Sequence, residues 1–112
     1  HALEHFGLGR YNDPIKFDGY LDGLDSMHKI LKQGGKFFLS VPIGKQRVEF
    51  NAHRVFSIRY LLRLFKDKYT IDYFSFVDDK GYLHKNIEMI NEEIDKNFDC
   101  HHGCGIFEMT KL

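Results

Sequence analysis

Three short stretches carry residue types that do chemistry: HALEH (His1 to His5), NAHR (Asn51 to Arg54) and DCHHGC (Asp99 to Cys104). In the first, His1-x-x-Glu4-His5 spaces two imidazoles around a carboxylate, a pattern in which the histidines bind zinc and the glutamate is general base to a metal-bound water. That chemistry needs both histidines on one face of a long helix, with a third ligand nearby. Gly7 and Gly9 follow at once, so any helix here is short, and a metal-binding hydrolase stands only as an alternative. In DCHHGC, Cys100, His101, His102 and Cys104 are four candidate zinc ligands, but adjacent histidines and a three-residue gap are not zinc-knuckle spacing. A reduced loop leading into the last strand is the simpler reading.

These stretches need elements to position them. Gly7 to Gly19 (GLGRYNDPIKFDG) is loop chemistry, rich in residues that relieve or pre-set turn dihedrals. Leu21, Leu24, His28 and Leu31 follow helical spacing, and Gly34-Gly35 supplies a left-handed stop. KFFLSVP, Lys36 to Pro42, is a continuous apolar run of strand length, the pattern of a strand covered on both faces in a parallel sheet. Lys45 to Phe56 is mixed in character and reads as an ordered loop. Ser57 is a candidate N-cap for a helix bearing Ile58, Leu61, Leu62 and Phe65. Tyr69 to Val77 is β-branched and aromatic, and Asp78 to Gly81 supplies a turn after it. Ile87, Ile90 and Ile94 predict a short amphipathic helix, and Gly105 to Lys111 a closing strand. The aromatic group Phe37, Phe38, Tyr73, Phe74 and Phe76 is expected in the core.

Composition narrows the classes. The 112 residues suit one domain, with 43% hydrophobic and 15% aromatic residues, a globular composition. Sixteen Lys plus Arg balance sixteen Asp plus Glu, so no basic field points to nucleic acid or an anionic membrane. No apolar run approaches the roughly 20 residues that span a bilayer. Two cysteines four residues apart argue against a secreted disulfide framework, and a cytoplasmic protein is expected.

The order helix, Gly-Gly, apolar strand, loop, helix, strand, antiparallel return is that of the second half of a doubly wound α/β sheet. LEH at Leu3 to His5, then MHKILKQGGKFFLSVPIG, resembles the corresponding stretch of class I S-adenosylmethionine-dependent methyltransferases. More narrowly, HALEHFGLGRYNDPI, SVPIGKQRVEFNAHRVFS and GCGIFEMTKL resemble a methyltransferase-like family catalogued as domain of unknown function 268. The resemblance implies a Rossmann-like sheet whose fifth, seventh and sixth strands are present here in spatial order 5-7-6, the last in sequence antiparallel, with flanking helices. It also implies that residues 1–112 are part of one domain, since the glycine-rich cofactor loop and the ribose-binding acid would lie upstream of His1. The segment alone is therefore expected to bind S-adenosylmethionine poorly and to be inactive.

The same resemblance suggests what the polar residues do. Some methyltransferases acting on hydroxyls hold a divalent ion in a Glu-x-x-Glu-His turn beside the acceptor oxygen. Here His1 stands where the first Glu would, while Glu4 and His5 match, and His53 is a candidate further ligand. The plainer reading is that Glu4 and His5 shape the loop at the substrate entrance. Arg10, Tyr11, Asn51, His53 and Arg54 are candidate substrate contacts, because loops at the ends of the fourth and fifth strands sit where open α/β sheets bind ligands; capping of loop backbone is their alternative. The expected acceptor is a small hydroxylated or sugar-like molecule. A competing reading is a non-catalytic module whose open sheet edge pairs with a second copy.

Overall fold

The computed structural model describes residues 19–49 and 53–112. Its elements are α1 (Gly19–Ile30), β1 (Lys36–Ile43), β2 (Arg47–Glu49), β3 (His53–Val55), α2 (Ile58–Phe65), β4 (Tyr69–Val77), β5 (Leu83–His84), α3 (Asn91–Asp95), a 3-10 turn at Asn97–Asp99, and β6 (Gly103–Lys111). The fold is mixed α/β, with a four-stranded antiparallel sheet in the order β1-β6-β4-β5 and a separate β2-β3 hairpin.

Pairing explains the order. β6 bonds β1 on one side, Leu39 opposite Phe107, and β4 on the other, Phe74 opposite the same Phe107. It is antiparallel to both, so β1 and β4 run in the same direction with β6 between them. The three expected strands therefore share one sheet with the last in the middle. Each bonded pair in the sheet is antiparallel, however, which differs from the parallel sheet expected from the KFFLSVP run.

Alternation decides the core. Leu39, Val41 and Ile43, with Phe107, Met109, Phe74 and Phe76, point to one face and pack against Tyr20 of α1, Ile58, Leu61 and Phe65 of α2, and Ile94. The opposite face carries Phe38 and Tyr73, 68% and 54% exposed, flanking Glu108 in the register. The period of two thus overrides the expectation that all five aromatics are core: Phe74 and Phe76 are buried, Phe37 is half-buried, and Phe38 and Tyr73 face out. It also corrects the expectation that both faces of β1 are covered.

Local chemistry sets the element ends. α1 is followed by Gly34 at φ +78°, and Lys111 Nζ donates to the His28 and Leu31 carbonyls left open by the helix end. At α2, Ser57 Oγ accepts from the Tyr60 amide at 3.2 Å, and Asn97 Oδ1 accepts from the Ile58 amide at 2.8 Å. Such caps contribute about 1 kcal/mol each.

Two segments depart from expectation. Within Lys45–Phe56 the chain forms the β2-β3 hairpin, and Phe56 then bridges Ile43 in parallel, exchanging bonds with Pro42 and Gly44. The helix expected across Ile87–Ile94 is confined to Asn91–Asp95, because the Asn86 amide bonds Ser75 Oγ and the Ile87 amide bonds the Phe74 carbonyl. Sheet-edge partners outcompete helical ones there. Asn97, Phe98 and Asp99 all take left-handed φ of 51° to 60°. That conformation costs roughly 1–2 kcal/mol per residue. Phe98 packing on Phe74 and Phe76, and the Asn97 cap on α2, offset it.

Candidate functional site

β1 and β4 end on the same side of the sheet, and the loop entering β6 crosses there. Gly44, just past β1, lies under that loop so closely that a Cβ would collide with the His101 carbonyl oxygen. Arg47 Nη2 donates to the same carbonyl at 2.8 Å and its Nη1 to the Lys45 carbonyl at 3.1 Å. From the β4 side the Asp79 carboxylate accepts from the His101 amide at 2.8 and 3.1 Å and from the His102 amide at 2.8 Å. The His101-His102 backbone is thus held from both sides by opposite charges. Those amide bonds hold the Asp79 carboxyl below the usual carboxylate range.

Asp78 next door turns the chain. Its Oδ1 accepts from the Lys80 and Tyr82 amides, both at 3.0 Å, and its Oδ2 lies 2.8 Å from His84 Nε2. The His84 bond, then the backbone bonds, lower its pKa. Both aspartates are committed to local structure.

DCHHGC has a structural role within this arrangement. Cys100 is buried, and burial, followed by Asp79, Asp78 and Asp99, pushes its thiol up to about 11. A thiol so shifted is protonated at neutral pH and a poor nucleophile or metal ligand. Cys100 and Cys104 form no disulfide with each other. Among the described residues no group of three or more His, Cys, Asp or Glu is placed to hold a metal ion.

Of the residues singled out in the sequence, His1, Glu4, His5, Arg10, Tyr11 and Asn51 lie outside the described residues. His53 opens β3, and Arg54 follows it on the strand that leads to the Phe56 bridge at the carboxyl end of β1. Arg54 is only 3% exposed, and its guanidinium lies 4.6 Å from the Tyr20 ring centroid. Tyr20 in turn packs edge-on against Phe56 and shares a short hydroxyl contact with Tyr60. The arrangement fastens the hairpin to α1 by a desolvated cation-π contact. Sequence reading missed Asp79 and Arg47, whose part depends on the crossing loop; the only local signal was the DDKG turn.

A family model described as "Caenorhabditis protein of unknown function, DUF268" matches residues 1–103. No curated protein and no solved structure matches the chain.

Proposed function

The chain belongs to the DUF268 family, and from its sequence resemblance to class I methyltransferases we propose that it is part of a methyltransferase-like domain that transfers a methyl group from S-adenosylmethionine to a small hydroxylated or sugar-like acceptor. The observation that carries this reading is the insertion of β6, antiparallel, between β1 and β4, which run in the same direction with α2 between them in sequence. That is the arrangement the resemblance implies for the final strands of a Rossmann-like methyltransferase sheet. The carboxyl ends of β1 and β4, where crevice ligands collect in open α/β sheets, then face the acceptor.

In this proposal S-adenosylmethionine supplies the methyl group and is held by residues upstream of His1. The chain's own task is to hold the acceptor and take its hydroxyl proton. His5 is the residue proposed for that task, an imidazole base with Glu4 its neighbour in sequence. Arg10, Tyr11, Asn51 and His53 are the proposed acceptor contacts, while Arg54, buried over Tyr20, holds β3 in place. A divalent ion would draw on Glu4, His5 and His53, and would there polarise the acceptor hydroxyl; Glu4 and His5 lie outside the described residues.

Calorimetry with S-adenosylmethionine tests the reading, on residues 1–112 and on a gene product extended upstream of His1. Micromolar binding by the extended product and little or none by residues 1–112 is expected. Binding by neither removes the reading; micromolar binding by residues 1–112 alone shows that the cofactor site is misplaced.

One observation favours a second reading, a pairing module. Among the described residues the outer edge of β1 bonds only around Ile43 and Phe56, leaving residues 36–41 open on that side. Light scattering that finds a dimer while no form binds S-adenosylmethionine would favour it.

A further inference from the structure

The face of the sheet turned away from α1 and α2 presents an aromatic and acidic row that the core does not use. Alternation puts Phe38 of β1 and Glu108 of β6 on that face, opposite one another in the register. Tyr73 of β4 joins them because of a β-bulge. Ile71 pairs with Met109 on the core side, Asp72 is the extra residue, and Tyr73 then pairs with Glu108. Without the extra residue Tyr73 would follow Ile71 to the core side, so the bulge re-aims its ring outward. Phe38, Glu108 and Tyr73 thus form one row across three strands, a carboxylate between two rings. With neighbouring strands about 4.8 Å apart, the rings spring from backbone roughly 10 Å apart. Together with Lys36 and Asp72 the three line an open depression of about 430 Å³.

The charges of the depression are not equivalent. Lys36 Nζ donates to Thr110 Oγ1 at 2.8 Å and to Asp72 Oδ2 at 3.3 Å, and Thr110 Oγ1 donates to the same Asp72 oxygen. Lys36 and Asp72 therefore neutralise each other one row away. Among the described residues no hydrogen bond or ion pair engages the Glu108 carboxylate. What remains is a single negative charge flanked by two exposed rings.

We propose that this row is a docking site for an arginine side chain of a partner protein, its guanidinium bonded to the Glu108 carboxylate and flanked by the Phe38 and Tyr73 rings. A guanidinium is planar and weakly hydrated, stacks on aromatic faces and bonds a carboxylate through two parallel N–H groups, so it uses all three side chains at once. An ammonium is a compact, strongly hydrated point charge that keeps its water on so open a surface. A neutral ring would cover the aromatics but strip water from a carboxylate without supplying a counter-charge. A second copy meeting this face with its own would bring two Glu108 carboxylates together, a like-charge contact. The site lies on the face opposite α1 and α2 and is independent of the methyl-transfer reading.

Blocked tripeptides Gly-Arg-Gly, Gly-Lys-Gly and Gly-citrulline-Gly are the probes, titrated into the 112-residue chain with amide chemical shifts as the readout. An exposed ion pair and exposed ring contacts are individually weak, so saturation by the arginine peptide is expected in the millimolar range, with shifts at Phe38, Tyr73 and Glu108. The lysine peptide should bind about threefold or more weakly, and the citrulline peptide, which keeps the shape and loses the charge, should not saturate. Glu108→Gln should weaken the arginine peptide about threefold to tenfold, and Phe38→Ala and Tyr73→Ala each about twofold to fivefold. None of the three residues belongs to the core, so the variants keep the fold. Shifts that fail to saturate, that map elsewhere, that are equal for arginine and lysine or for arginine and citrulline, or that persist unchanged in Glu108→Gln overturn the site. Shifts at Phe38 and Tyr73 that change with protein concentration alone identify a second copy as the occupant and overturn it as well.

Discussion

At the carboxyl end of β1 and β4, the Asp79 carboxylate takes two backbone amides and the Arg47 guanidinium takes the carbonyl between them. At the amino end of β4, Tyr69 Oη and His28 Nδ1 are buried with no partner. The end where a ligand is expected from the fold has much of its described charge spent on holding a loop, whereas the other end leaves two polar atoms buried without a partner. A polar group satisfied by backbone stabilises shape, and one buried without a partner costs stability. Charged residues at a strand end are therefore weak indicators of a site until their partners are known.

The sharpest way to break this contrast is at Gly44. Gly44→Ala drives a Cβ into the His101 carbonyl, a backbone atom that cannot rotate away, and should cost about 3 kcal/mol in denaturant unfolding. A loss under about 1 kcal/mol would mean that the crossing loop is not fixed. Asp79→Ala removes the acceptor for two amides and, because the residue is exposed, should cost only about 1 kcal/mol. Its folded pKa is depressed, so its contribution is fully present above the unfolded carboxylate value of about 3.9 and fades as pH falls through the lower folded value. The difference between wild type and variant should accordingly be flat from pH 5 to 8 and shrink below pH 4.

The amino end has a different pH window. His28 is held below its ordinary value by burial, Lys111 and Lys68, so below about pH 6.5 the unfolded chain takes up a proton that the folded chain refuses. Stability should fall as pH drops from 7.5 to 5.5, and His28→Gln should flatten part of that slope. An unchanged slope would show that His28 is solvated. The smallest effect is expected at Tyr69→Phe: deleting an unpartnered hydroxyl should change stability by less than about 0.5 kcal/mol. A larger loss would reveal a hydrogen bond.

Where one local rule governed a segment, the sequence was a good guide. Ser57 caps α2, the i, i+3, i+7 stripe Ile58, Leu61, Phe65 is buried, and β4 spans Tyr69–Val77 as its β-branched and aromatic run implied. It misled where a distant partner outbid local preference. The isoleucines at 87 and 90 have helical spacing, yet the Ile87 amide goes to Phe74 on the edge of β4. Residues 45–56 look irregular because the β2 and β3 strands have only three residues each, too few to display alternation. The site was less legible than the fold. Arg54 in NAHR was noticed for its charge, but its burial over Tyr20 depends on a helix more than thirty residues upstream. Asp79 and Tyr69 owe their roles to neighbours that no short-range spacing encodes.

The central position of β6 also bears on how the protein is made. Both β1 and β4 leave the ribosome before the strand that joins them, and translation from Val77 to Gly103 occupies on the order of one to five seconds at about 5–20 residues per second. Over that interval FFLSVPI has an unpaired inner edge and a full set of apolar side chains, the composition that nascent chains aggregate through. Lys36, a charge at the head of the apolar run, acts as a gatekeeper during that wait. The cost of placing the youngest strand at the centre is thus a period of vulnerability in the cell, which ends when β6 slides between its two neighbours.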